Sequence, residues 1–501
     1  MSVRSRFVLL FSIIGFISTL FSSCFKDEIV NTDPGFKLRF STDSVFFDTT
    51  FTTIGSATKI LKVFNDSKDP VVISEAKIRG SQGIHFTCNI DGIPGNDLND
   101  IRIEAKDSIY VFCKVKVDPD QNLTESPFIL NDFLDFTINS NTQSVVLVAW
   151  GQNANYITNK DNIGSQTLFT CDLGTVTWDD PKPYVIYGSL IIDECQLIIP
   201  EGARIYIHGG LVIPPGVNDA PFTDGRIFVG PRGQLTINGT AEKPVKFRGD
   251  RLEEEFKDKD GQWGGIVIFN SNRINKFSYL DLRNSNFGIL ADSATTLHLD
   301  HTIIDNVVLN CLIGNHATIK ATNCLFSNSV GYNVVLTYGG TYNFDYCSIP
   351  NVSGQSFAMS LDNYTCDQDE LGNCIKGSVR TNKAILLVRN SILSGLDDDE
   401  IKFVDVFEGA QPDQFQYSFT NSVLKVDDYQ KDQYFQERNS NCIYMKRTDK
   451  IYVNENNSLF QLDSLSVARG IAVPIPTIQD DILGKIRKMV TPDAGCFEYL
   501  P

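Results

Sequence analysis

The chain has 501 residues, 42% hydrophobic and 21% charged, enough for two or three folded domains and unlike a disordered polymer. With 44 basic against 61 acidic residues its net charge is −17, which excludes nucleic acid and argues against an anionic membrane face as partners, since both require clustered positive charge. Five histidines and the absence of any Cys-x-x-Cys pair exclude an ordinary zinc site.

In chain order, Arg4 and Arg6 precede an apolar run from Phe7 to Phe21 that ends in Ser22, Ser23 and Cys24. This is the charged, apolar and small-residue order of a secretory signal, and the run is short for a membrane span. A cysteine after two small residues resembles the lipobox of bacterial lipoproteins, in which that cysteine becomes the acylated N-terminus; Phe21 stands where Leu is more usual. Lys26, Asp27 and Glu28 follow, resembling the surface-export signal of Bacteroidetes lipoproteins. The resemblance implies a signal peptide over 1–23, a lipidated tether over 24–35, and an outer-membrane protein held by lipid at Cys24 and facing the cell exterior. Losing 1–23 removes two arginines and no acid, so the mature chain is more acidic still.

Residues 36–154 read as a run of short strands. Segments such as 60–64, 71–73, 108–112 and 145–148 are β-branched and aromatic, and turn clusters such as 65–70 separate them. Such spacing predicts an antiparallel sandwich of about seven strands. Val63-Phe64-Asn65-Asp66 with Pro70-Val71-Val72-Ile73, and Asp132 to Phe136 with Trp150-Gly151, resemble the immunoglobulin-like modules of the abnormal-spindle/hydin type. The resemblance implies a spacer or contact module without catalysis.

Eleven cysteines follow Cys24, so at least one stays unpaired within the chain. Secretion permits disulfides. Cys88 and Cys113 fall in the first domain and Cys171 and Cys195 in the next, while Cys366 and Cys374 flank a polar stretch and can close a surface loop.

From about Tyr184 a repeat takes over. Segments 279–284, 301–306, 323–328 and 346–351 align, ending on Asn284, Asn306, Asn328 and Asn351 at steps of 22, 22 and 23. Leu297, Leu299 and Ile303 alternate rather than recur at the helical period, so the repeat is a solenoid of short strands. Asparagine suits a left-handed corner, and the four amides are expected to form a ladder from coil to coil. Cys324 and Cys347 would stack on adjacent coils. Trp263-Gly264-Gly265-Ile266, with the ending Gly484, Arg487, Pro492, Asp493, Gly495 and Glu498, resembles right-handed β-helix proteins secreted by Bacteroidetes; Cys496 stands where Ala is usual. The expected fold is therefore all-β: an N-terminal immunoglobulin-like β-sandwich, then a right-handed parallel β-helix over 155–501 with a C-terminal cap. Polar insertions at 250–262, 362–377, 396–414 and 427–441 are expected to shape its binding face.

For chemistry, β-helices host polysaccharide lyases and hydrolases, which need a base with a charge neutraliser, or two carboxyls. The local candidates are His298 and Asp300, sent outward by inward Leu297 and Leu299, with Asp281 one coil earlier as a neighbour. Arg283 either completes that set or neutralises Asp305. Any exposed face of so acidic a chain stacks carboxylates, so no catalytic role is assigned. Tyr332, Tyr338, Tyr342, Tyr346 and Tyr364 either pack or offer platforms for sugar rings. Calcium is the one ion left open, through Asp367, Asp369 and Glu370, although their spacing is not that of an EF-hand. No other cofactor is expected. The expectation is a non-catalytic binding face for a polysaccharide or another surface protein; the alternatives are a polysaccharide-cleaving enzyme and a structural envelope component.

Overall fold

The computed structural model describes residues 29–499 except 52–57, 81–83, 118–127, 153, 158–165, 210, 213–221, 253–255, 353–355 and 370–371. Cys24, Lys26, Asp27 and Glu28 lie outside the described residues, as does Glu370. The chain divides into two compact units, 1–153 and 154–501. No helix among the described residues is long and apolar enough to cross a membrane.

In the first unit two five-stranded sheets share one core. Strand Val71–Ile78 shows why: Val71, Ile73, Ala76 and Ile78 are buried, while the residues between them are not. Asn65, from the first turn cluster, is 1% exposed; its amide donates to the carbonyls of Asp69, Ile103 and Glu104 and so ties two turns together. Cys88 and Cys113 face each other across adjacent antiparallel strands as buried free thiols, Sγ to Sγ 3.3 Å.

The second unit is a parallel β-helix with three faces. The first face is an eleven-stranded sheet running from Asn155–Ile157 to Ile443–Tyr444. A second sheet of seventeen strands wraps the other two faces. One column, the second face, runs from Gln166–Phe169 through Gly265–Ile268 to Ile401–Val404. The other, the third face, runs from Thr175–Thr177 through Thr296–Asp300 to Asn439–Ser440. Strand alternation sends every second side chain inward, where it stacks on its equivalent one rung away: Phe277, Leu299, Ala321, Phe344, Val388 and Phe419 form one such pile. Cys171 and Cys195 are bonded, as are Cys366 and Cys374.

The Trp-Gly-Gly-Ile coil is built around a wholly buried Trp263, whose indole N–H donates to the Arg283 carbonyl at 2.9 Å. Gly265 sits at φ 113°, and a Cβ there would meet the Phe287 carbonyl oxygen at 2.2 Å, so only glycine passes.

The expected amide ladder is not formed. Asn284, Asn306 and Asn328 do hold left-handed corners, at φ 65°, 55° and 52°, whereas Asn351 lies in the strand Ser348–Asn351. Their side chains reach away from one another. Asn284 and Asn306 donate to the carbonyls of Lys259 and Asp258 in the 250–262 insertion, Asn328 to Asp305 and Ser458, and Asn351 to Glu400. A second left-handed corner runs through Tyr279, His301, Asn323, Tyr346, Asn390, Asn421 and Asn441.

The C-terminal segment does not simply close the end of the helix. Residues 445–499 lie along the outside of the first face, where Ile451, Tyr452, Phe460, Ile482 and Phe497 form a core with the outward Leu325, Ile392 and Val423. The end of the inner core is filled instead by Phe435, on the short helix Gln433–Gln436 within the 427–441 insertion.

Candidate functional site

Asp281 and the pair His298 and Asp300 stand on different faces, so the structure does not bring the three together. Asp281 belongs to Leu280–Arg283 on the first face, in register with Lys246 and Ile303. It is ion-paired to Arg248 and Arg283, and Arg283 also reaches Asp305 at 3.0 Å. Burial opposes its charge, but the two guanidiniums outweigh burial and hold its carboxyl below the ordinary value. A paired, ionised carboxylate of this kind is part of the wall and unsuited to giving up a proton.

His298 and Asp300 do project from one strand, Thr296–Asp300, between the inward Leu297 and Leu299. The strand register places Lys276 on the rung before His298 and Lys320 on the rung after it. Both lysines are exposed and His298 is half-buried. Three outward basic side chains thus span two rung spacings, roughly 10 Å. One neighbouring outward column carries hydroxyls, Thr296, Thr318 and Thr341, and the other carries Ser278, Asp300 and Thr322. Thr477 and Ile478 of the C-terminal segment supply the opposite wall of a groove of about 310 Å³ over these residues.

The electrostatics follow from this placement. Burial first, and then the positive charges of Lys320 and Lys276, push the His298 imidazole below its ordinary pKa, so it is neutral at neutral pH. Asp300 turns toward the corner: its Oδ1 lies 3.0 Å from His301 Nδ1, while Asp480 approaches the other ring nitrogen at 3.3 Å. His301 stacks on Tyr279 with ring centroids 4.3 Å apart. The groove therefore presents two ammonium groups, a neutral imidazole and several hydroxyls, with the one carboxylate of Asp300 turned toward His301, a set suited to an acidic, hydroxyl-rich ligand.

The tyrosines do not form an exposed platform. Tyr342 is fully buried and donates to the Gly339 and Gly314 carbonyls, and Tyr346 is buried with its hydroxyl on the Val473 carbonyl. Tyr332 stacks on Phe357, Tyr338 stands at a half-buried left-handed corner, and Tyr364 begins a two-residue hairpin strand. In the disulfide loop Asp367 pairs with Arg380, and Asp369 accepts the amide of Asn373. Among the described residues no cluster of three or more His, Cys, Asp or Glu is placed to hold a metal ion. Lys276 and Lys320 were not among the expected site residues, yet positions 276, 298 and 320 keep the same 22-residue step as the asparagines.

Comparison with known proteins gives three kinds of finding. No curated protein matches the chain. Among solved structures, the catalytic domain of a GH87 alpha-1,3-glucanase in complex with nigerose aligns at 9% identity over 74% of this chain and 81% of that one, with a TM-score of 0.18. The ASH/PapD-like domain of human CEP192 aligns at 12% identity over 25% of this chain and 92% of that one, TM-score 0.18. A family 123 glycoside hydrolase from Clostridium perfringens aligns at 9% identity over 23% of this chain, which spans a quarter (25%) of that enzyme, TM-score 0.16. Scores of this size carry no argument about activity. Residues 170–292 match a family described as the pectate-lyase-like β-helix domain, and the parallel coils over that stretch have that architecture.

Proposed function

We propose that this chain is a lipid-anchored envelope protein whose β-helix binds an acidic glycan along its third face, without cleaving it. In this reading Cys24 carries the lipid, Lys26, Asp27 and Glu28 direct the protein to the outer surface, the immunoglobulin-like unit is a spacer, and the coils wind right-handed, as β-strand crossovers do in nearly all proteins. The observation that carries the reading is the column Lys276, His298 and Lys320, three basic groups in register over a hydroxyl-lined groove in a chain of net charge −17. A repeating anion laid along the rungs meets a basic group at each step, an ammonium at Lys276 and Lys320 and an imidazole between them.

The test is affinity electrophoresis of the full chain through gels containing uronic-acid polysaccharides. Wild type is retarded, and changing Lys276 and Lys320 to Ala weakens binding roughly tenfold, about 1.4 kcal/mol for two partly solvated charge contacts. Unchanged retardation in that variant overturns the reading.

A pH dependence follows. An anion bound at His298 stabilises the imidazolium and raises its pKa, so binding takes up a proton. Affinity therefore rises by a few fold as pH falls from about 7.5 to about 5.5, the range in which histidine titrates, while the uronate stays ionised. Asp300, Lys276 and Lys320 also face the groove. His298→Gln flattens the profile; a profile that persists in the variant assigns the proton elsewhere.

One observation favours the lyase alternative. A neutral imidazole between two ammonium groups is the pairing of base and carboxylate neutraliser that β-elimination from a uronate requires. The same incubations, followed for the ultraviolet absorbance of an unsaturated uronate, separate the two. A binder produces none, and a lyase produces it in wild type but not in His298→Gln. Surface display is tested by proteinase shaving of intact cells, where wild type is cleaved and the variant with Lys26, Asp27 and Glu28 changed to Ala is protected.

A further inference from the structure

The C-terminal end of the β-helix holds a second concavity of opposite character. The second face stops at Ile401–Val404, while the third face continues through Phe415–Thr420 to Asn439–Ser440. Inward side chains of the last coil, which would otherwise be covered by another rung, open into a cavity of about 530 Å³. Phe403, Phe415 and Tyr417 form its floor, and Tyr429 and Tyr434, from the 427–441 insertion, form one wall. Phe403 stacks on Tyr417 at 4.3 Å and meets Tyr429 edge-on at 5.4 Å, so the rings are locked in place. Asp405, Glu408 and Asp432 stand around them.

Most of the local polar groups are already engaged, and the exceptions point one way. Asp405 accepts the amides of Phe407 and Gly409 and the side chain of Asn363; Asp432 caps the short helix through one oxygen. Arg438 lies over the Tyr434 ring, 3.1 Å from its centroid. The Glu408 carboxylate and the hydroxyls of Tyr417 and Tyr434 have no hydrogen-bond partner among the described residues, and Tyr417 is only 7% exposed. Glu408 is also held in the left-handed region, at φ 46°. A carboxylate acceptor and two phenols that donate or accept thus converge on a set of fixed rings. Sugar rings are bound by this combination of flat apolar faces and a few convergent hydrogen-bonding groups.

We infer that this end cavity is a second glycan site, for a pyranose ring that carries no acidic group. Three carboxylates against one guanidinium repel a uronate or a sulfated sugar. They favour a neutral hexose or a hexosamine, whose hydroxyls or ammonium donate to Glu408 and whose ring face lies on the tyrosines. The site stands on residues separate from Lys276, His298 and Lys320, so it does not depend on the third-face reading.

The experiment is a glycan array of neutral, amino and acidic oligosaccharides probed with the full chain, beside Tyr434→Ala, Glu408→Gln and the Lys276→Ala, Lys320→Ala double variant. Tyr434 is half-buried on the short helix, and the thermal midpoint of each variant checks that the fold is kept. Signals on some non-acidic glycans are expected to fall tenfold or more in Tyr434→Ala and several-fold in Glu408→Gln, and to stay unchanged in the lysine variant. The inference is overturned if no non-acidic glycan is retained, or if retained signals survive both cavity variants. Should Tyr434→Ala lower the midpoint, Tyr434→Phe and Glu408→Gln replace it: they leave the packing intact, and undiminished signals in both overturn the inference equally.

Discussion

Arg487→Ala is expected to destabilise the β-helix unit by about 3–5 kcal/mol, the cost of breaking a buried charge network by removing one partner. Arg487 is 4% exposed although it carries a full charge. Its guanidinium donates to Asn323 Oδ1 at 2.7 Å and to the carbonyls of Gly495 and Asp480, lies 3.5 Å from Glu498 and stacks over the Tyr346 ring at 4.0 Å. One side chain therefore joins the C-terminal segment to two corners of the solenoid. Truncation leaves Glu498, whose side chain is fully buried, with Lys488 as its remaining cation and the Asp493 backbone N–H as a donor. The check is chemical denaturation with limited proteolysis: the midpoint falls, and new cleavage appears between residues 470 and 490 before the coils are cut. Arg487→Lys keeps the charge but loses the planar fork that serves several acceptors at once, so it recovers less than half of the loss. A midpoint equal to wild type in Arg487→Ala would falsify this account of the segment.

Trp263→Ala is expected to cost about 3–5 kcal/mol as well, by a different route: the removal of a large buried side chain and the cavity it leaves. Trp263 is wholly buried beside Phe247 in the inner stack, and its indole N–H donates to the Arg283 carbonyl. That bond fixes the strand whose neighbouring Arg248, Asp281, Arg283 and Asp305 form the ion-pair network of the first face. Trp263→Phe keeps most of the packing and loses the bond, so it costs about a third as much. Both variants are read by thermal unfolding, with retention on acidic glycan below the transition as the control that the third face survives. A loss in Trp263→Phe equal to that in Trp263→Ala would show that the hydrogen bond, rather than volume, dominates.

The repeat that reveals the coils was legible because stacked rungs must repeat their in-out alternation, and the 22-residue step through Asn284, Asn306 and Asn328 reports it directly. Which face a residue occupies was not legible from that step alone. Asp281 and Asp300 are 19 residues apart, near one full coil, but the corner at Tyr279 and the turn after Arg283 put them on different walls. The column that does share a wall, Lys276, His298 and Lys320, obeys the period better than the pair first considered. The covering of the first face left a quieter trace. Ile303-Ile304, Leu325-Phe326, Ile392-Leu393 and Val423-Leu424 are apolar doublets, as expected of a strand buried on both sides, whereas Leu297-His298-Leu299 alternates as a strand wet on one side. The end cavity has no periodic signature at all. Phe403, Tyr417 and Tyr434 meet because the solenoid stops there, and where it stops depends on packing across the last coil.

Because residues 445–499 follow the coils they cover, the order of synthesis bears on the order of folding. In a solenoid each rung touches only its neighbours, so coils can stack progressively as the chain emerges. Here the outward Ile303, Leu325, Ile392 and Val423 remain uncovered until residues 445–499 arrive, and Asn323, Tyr346 and Asn390 wait for the same segment to fill their hydrogen bonds. Residues 445–499 are thus the clasp for coils made long before them. A nascent chain that has not yet reached this segment carries a greasy, unfinished wall along the first face of its β-helix, which is sealed only when residues 445–499 have been delivered.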